Sequence, residues 1–152
     1  MDLTWVTPRI AVGGGIWTDV NMGKVAAAGI THIINMQVEF DDRPLAEAYG
    51  IEVFWNRVDD DFQPKPPEVF QSAIEFAQMA LEDSESNLFI HCAAGVHRAP
   101  MMALALLRVL GWDLAAAMEL IEDKRPVVDF ADVYVRSVEN FVRNYVAAGK
   151  DF

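Results

Sequence analysis

NLFIHCAAGVHRAP, residues 87–100, decides how the rest of this chain is read. Four residues, Leu88 to His91, are apolar or strand-forming on both sides of the backbone, and a turn of small residues follows. The run from Met101 to Leu110 is then apolar almost all round. Such a strand fits one covered on both faces, and such a helix fits one packed on every side. A strand, a short loop and a buried helix in succession are one unit of an α/β fold.

Three more stretches resemble that strand: RIAVG (9–13), HIINM (32–36) and IEVFW (51–55), each bounded by Gly, Pro or polar residues. Helical spacing appears at Phe70, Ala73, Ile74, Ala77 and Leu81, at Leu114, Ala117, Met118 and Ile121, and at Tyr134, Val138, Phe141, Val142 and Tyr145. The alternation predicts a single α/β domain over 1–152, with a central, mostly parallel twisted sheet of about four to five strands flanked by helices. The prolines of FQPKPPE (62–68) predict a loop that opens a helix.

The formal charge of −11, from 23 acidic and 12 basic residues, disfavours nonspecific attraction to nucleic acid or to an anionic membrane. No stretch reaches the length of a membrane span and the start lacks a signal-peptide pattern, so the expected setting is cytoplasmic. One cysteine, Cys92, cannot form an internal disulfide, so its thiol serves packing or chemistry.

The loop after the strand favours chemistry. Helix N-termini present unpaired N–H groups and partial positive charge, which suit both a phosphate dianion and an ionised sulfur nucleophile. Gly95 lets the backbone curl, Ala93 and Ala94 leave the concavity open, and Val96 and His97 continue the ring of backbone donors. Arg98 offers a planar fork for phosphate oxygens. Pro100, where the helix is expected to begin, loses little by lacking an N–H.

Cys92, five intervening residues and Arg98, with His91 before them, resemble the signature of cysteine-dependent protein phosphatases, and HCAAGVHR resembles the dual-specificity branch. WVTPRIAVGG (5–14), AAAGITHIINM (26–36) and KRPVVDFADVYVRSVENF (124–141) extend that likeness, the last as an Arg-Pro turn expected to support the loop. The resemblance implies hydrolysis of phosphotyrosine, and of phosphoserine or phosphothreonine, on a phosphorylated protein through a phosphocysteine, with no cofactor and no metal. It also implies His91 as a supporting residue.

A leaving alkoxide or phenolate needs a proton donor, and one carboxylic acid can serve both half-reactions. Asp59, Asp60 and Asp61 follow the third strand. In the family the acid lies ten residues before a helix aromatic, a place taken here by Phe70, which selects Asp60. The His97 ring is expected either to project toward the rim, where it would favour an anionic substrate, or to stand idle.

Ala99-Pro100 departs from the Ser or Thr that usually follows the arginine and is similar to the phosphatases of regenerating liver. It implies slower breakdown of the phosphocysteine. Two other classes share parts of the pattern: a phosphate-binding adaptor with little turnover, supported by Ala99, and a rhodanese-like sulfurtransferase, disfavoured by the aspartate loop. A scaffold of this kind also admits a non-protein phosphate monoester, which the acidic chain ranks lower.

Overall fold

The strand that opened the reading lies at the centre of the sheet in a computed structural model that describes residues 1–152. β1 (Leu3–Trp5), β2 (Ile10–Gly13), β3 (His32–Gln37), β4 (Glu52–Val58) and β5 (Leu88–His91) form one sheet in the order β1-β2-β5-β3-β4. β5 pairs in parallel with β2 and with β3, and β3 pairs in parallel with β4. Only β1 is antiparallel, against β2. With neighbours at both edges and helices on both faces, β5 has no polar side, and so LFI carries no alternation.

Alternation still sorts the strand residues between two cores. Ile10, Val12, Ile34, Met36, Leu88 and Ile90 face α3 (Pro67–Glu82), α4 (Arg98–Val109), α5 (Leu114–Lys124) and α6 (Asp132–Ala147), in a core of 28 buried residues. Ala11, Ile33 and Phe89 face α1 (Asp19–Ala27) and α2 (Arg43–Glu47), in a core of 9. The larger core lies on the four-helix face because α4 supplies ten consecutive buried residues, Arg98 to Leu107. α6 shows the other helical regime: its buried residues are Tyr134, Ser137, Val138, Phe141, Val142 and Tyr145, a single stripe at helical spacing.

One boundary and two short elements differ from the sequence reading. α4 begins at Arg98, two residues before Pro100, which falls instead at the third helical position. The ring is tolerated there because first-turn N–H groups have no partner within the helix. β1 was not anticipated, since three residues are too short to show alternation. Nor was α2, a five-residue helix after β3.

The parallel strands run so that Gly13, Gln37, Val58 and His91 end on one side of the sheet. Ligands of open α/β sheets bind outside these carboxyl ends, where the connecting loops meet. The loops after β2, β3, β4 and β5 converge there.

Candidate active site

Residues 92–97 curl back under the N-terminus of α4, and the cause can be followed carbonyl by carbonyl. The Cys92 carbonyl accepts from His91 Nδ1 (3.2 Å) and the Ala93 carbonyl from the Gly15 amide (2.9 Å). Arg125 donates from Nη2 to the Ala94 carbonyl (3.2 Å) and from Nε to the Gly95 carbonyl (2.9 Å). The Val96 carbonyl accepts from the Asp129 amide (3.0 Å). Five successive C=O groups are thus tied to partners around the outside of the loop. The amides of Ala93, Ala94, Val96 and His97 have no backbone acceptor, and those of Gly95 (3.3 Å) and Ala99 (3.4 Å) donate to Cys92 Sγ. A ring of donors around a buried sulfur is an anion site.

Gly95 sits at φ 68°, and a Cβ there would collide with the Arg125 guanidinium and stand 2.6 Å from the Gly13 carbonyl carbon. Only glycine fits both the conformation and the space. Arg125 is the central brace: buried, it also holds Asp2 (2.8 and 2.7 Å) and Thr4 (3.0 Å), fastening β1 to the loop. The Arg-Pro turn therefore supports the cradle as the sequence implied.

His91 lies fully buried behind Cys92. A carbonyl only accepts, so the Nδ1 facing Cys92 carries a proton, and Nε2 makes a short contact to the carboxylate of Asp42, itself fully buried.

Arg98 has its fork turned otherwise than expected. Nη1 and Nη2 grip Glu39 (2.7 and 2.8 Å), and Nη1 also donates to the Val58 carbonyl (2.8 Å). Nε, buried, has no partner. Burial works against the Arg98 charge, but Glu39 hydrogen bonds and the nearby Cys92 and Asp60 charges outweigh it and raise its pKa. In return, Arg98 hydrogen bonds hold the Glu39 carboxyl at about 2, well below an ordinary 4.5.

Across the mouth, the loop after β4 brings Asp60, and neither Asp59 nor Asp61, onto the cradle. Asp60 Oδ2 meets His97 Nδ1 (3.0 Å), and Oδ1 accepts from the Tyr134 hydroxyl (2.9 Å). Asp61 is instead paired with Lys65 (2.6 Å), which lowers its pKa. Tyr134 also accepts from the Phe62 amide (3.1 Å), and burial in particular raises its pKa to about 12. Phe62, at φ 56°, lies in a region bulky residues avoid; its ring stacks on Tyr134 and meets His97 edge-on. Those contacts hold the loop shape. The His97 ring is neither projecting nor idle, for its Nε2 contacts Asp129 (3.2 Å).

Glu39, Asp42, Asp129 and the Tyr134 hydroxyl went unread in the sequence. VEFDD (38–42) follows a parallel strand, and its position at a carboxyl end could have nominated Glu39 and Asp42. Tyr134 was counted only as an apolar stripe residue.

Comparison with known proteins bears on the family and the fold. The chain is 29% identical over 112 residues to dual specificity protein phosphatase 26 of Rattus norvegicus, which covers 71% of this chain and 53% of that protein. It is 24% identical over 133 residues to protein phosphatase Slingshot homolog 3 of Mus musculus, covering 84% and 19% respectively. The chain thus spans between about a fifth and about half of the length of such relatives. Among solved structures it is similar to PTPMT1 in complex with PI(5)P, with a TM-score of 0.86, 15% identity and coverage of 98% of this chain and 99% of that one. The family model of the dual specificity phosphatase catalytic domain matches residues 15–144, most of the chain including the whole cradle, and the chain belongs to that family of phosphatases.

Proposed function

We propose that this domain hydrolyses phosphotyrosine, and phosphoserine or phosphothreonine, in phosphorylated proteins through a covalent phosphocysteine. The carrying observation is the outward tethering of five successive carbonyls, which leaves the loop's donors around Cys92 Sγ. In this scheme the donors of residues 93–98 hold the phosphoryl oxygens, and Arg98 Nε joins them. Cys92 Sγ attacks phosphorus, the P–O ester bond breaks, and Asp60 gives its proton to the departing oxygen. Water then attacks phosphorus and yields a proton to Asp60; the P–S bond breaks, the sulfur leaves as thiolate and inorganic phosphate is released. The thiolate departs toward the amides of Gly95 and Ala99, a backbone means of stabilising it without the usual hydroxyl.

The test is a panel of phosphotyrosine, phosphoserine and phosphothreonine peptides, phosphoinositides and an aryl phosphate, assayed with and without vanadate and with a chelator. Turnover of phosphotyrosine peptides, blocked by vanadate and indifferent to chelator, is the expected result. Cys92→Ser should reduce it to background while circular dichroism stays unchanged, because an alcohol ionises far less readily than a thiol. Turnover confined to phosphoinositides would replace the protein substrate with a lipid one, and binding without turnover would make the domain an adaptor.

A further inference from the structure

His97 carries a contact set that the reaction scheme above leaves unused. Its Nδ1 lies 3.0 Å from Asp60 Oδ2 and its Nε2 lies 3.2 Å from Asp129 Oδ2, so one imidazole bridges two carboxyl groups. Those groups come from different loops. Asp60 follows β4, and Asp129 lies in the turn before α6, whose amide is bonded to the Val96 carbonyl of the same cradle (3.0 Å). The Phe62 ring packs edge-on against the imidazole at 5.0 Å.

Proton counting gives this bridge a meaning. Neutral imidazole has one N–H and a carboxylate has none, so two such contacts need one more proton than a neutral ring and two carboxylates hold. That proton lies on the ring or on a carboxyl. Asp129, with a side chain 71% exposed, engages Nε2 on the side away from Asp60. With an N–H directed there, the exchangeable proton falls between Nδ1 and Asp60 Oδ2. The other oxygen of Asp60 is occupied by the Tyr134 hydroxyl. The remaining charges facing this string are Cys92 and Arg98 on the cradle, Arg98 being balanced by Glu39; Asp61 is neutralised by Lys65.

We propose that His97 is a positioning residue that docks Asp60 on the phosphate cradle and keeps the transferable proton on the Asp60–His97 pair, with Asp129 as its anchor. The proposal rests on the reading of Asp60 as the general acid. When the ester bond breaks, the proton passes from the pair through Asp60 to the leaving oxygen. When water attacks the phosphocysteine, the pair recovers a proton from that water. Because the two side chains face one another across that proton, replacing His97 changes how Asp60 delivers it to the leaving oxygen.

The experiment compares His97→Gln, Asp129→Asn, Asp60→Asn and the double variant Asp60→Asn/His97→Gln with the parent domain, after thermal unfolding establishes that each is folded. kcat/KM is measured against pH for an alkyl phosphate and for an aryl phosphate with a good leaving group. For His97→Gln we expect the ratio of alkyl to aryl turnover to fall about tenfold at neutral pH, and the basic limb of the alkyl profile to move at least about one unit toward acid. Asp129→Asn should move it in the same direction by less. The double variant should lose no more of the ratio than Asp60→Asn does. A His97→Gln profile with the parent's basic limb and ratio overturns the proposal, as does a further loss of the ratio in the double variant. If Asp60→Asn itself leaves the ratio unchanged, the general-acid reading fails first and the His97 proposal goes with it; a loss in Asp60→Asn alone removes only the latter.

Discussion

The two sides of the cradle are held by different physics. On the sulfur side, His91 meets Asp42 with both side chains fully buried, Arg125 braces two loop carbonyls, and Arg98 is locked by Glu39 and the Val58 carbonyl. On the acid side, Asp60, His97 and Asp129 have side chains 31%, 22% and 71% exposed, and only hydroxyl, imidazole and carboxyl groups join them. Water competes more for the second set of contacts than for the first, in which Glu39 alone of the residues named is substantially exposed. The cradle is therefore held mainly by buried contacts, whereas Asp60, the proposed proton donor, sits on a loop whose contacts are more open to solvent. On the proposed function, a preorganised site for charge and a more open donor suit a reaction in which the phosphoryl group is constant and the leaving group varies.

The largest effect should come from the buried side. Asp42→Asn leaves His91 facing an amide where a carboxylate stood, and breaking a buried pair in this way costs about 3–5 kcal/mol. For a domain of this size a loss of about 3 kcal/mol corresponds to a fall in Tm of roughly 6–12 °C, read by calorimetry. A Tm within about 2 °C of the parent would show that the His91–Asp42 contact is not an ion pair. The comparison sharpens if Asp60→Asn behaves oppositely. It should slow turnover of alkyl phosphates by about 10² while leaving Tm nearly unchanged, since the Asp60 side chain is partly open to solvent and an amide oxygen can still accept from Tyr134. If Asp59→Asn or Asp61→Asn gives that signature in its place, the acid is misassigned.

A smaller effect is expected where the two sides meet. Ala99 is fully buried and its amide already donates to Cys92 Sγ. Ala99→Ser adds a hydroxyl beside that sulfur, and a hydrogen bond to a charged group is worth about 1.5–3 kcal/mol. Phosphocysteine breakdown should quicken several-fold and any pre-steady-state burst should shrink, as rapid-quench kinetics would register. Unchanged breakdown would mean that the two amides already suffice.

The smallest effect concerns Glu39. Arg98 holds its folded pKa at about 2, below the ordinary 4.5 that it regains on unfolding. A depressed carboxyl stabilises the fold above its unfolded value, and that contribution disappears as pH falls toward 2. With the Glu39 side chain 40% exposed, the stabilisation is modest. Glu39→Gln should flatten the dependence of Tm on pH between about 4.5 and 2, relative to the parent. Parallel curves for the two proteins would show that Arg98 does not perturb Glu39.

What the sequence determined by itself was whatever is encoded within a few residues. The central strand, the loop with Cys92, Gly95 and Arg98, and the stripes of α3 and α6 are local patterns, set by backbone period and steric permission. Asp60 was reached through likeness to a family, since three adjacent aspartates are locally equivalent. Tertiary structure separated them by their contacts, placing Asp61 on Lys65 and Asp60 on His97 and Tyr134. It alone turned the Arg98 fork onto Glu39, put Asp42 behind His91, and joined Asp129 to the cradle. Apart from Lys65, four residues from Asp61, those partners lie 32 to 74 residues away along the chain. No period or spacing encodes such pairs. They are fixed by strand order, which carries separate loops to the same end of the sheet, and by burial, which leaves each charged group there few partners other than one another.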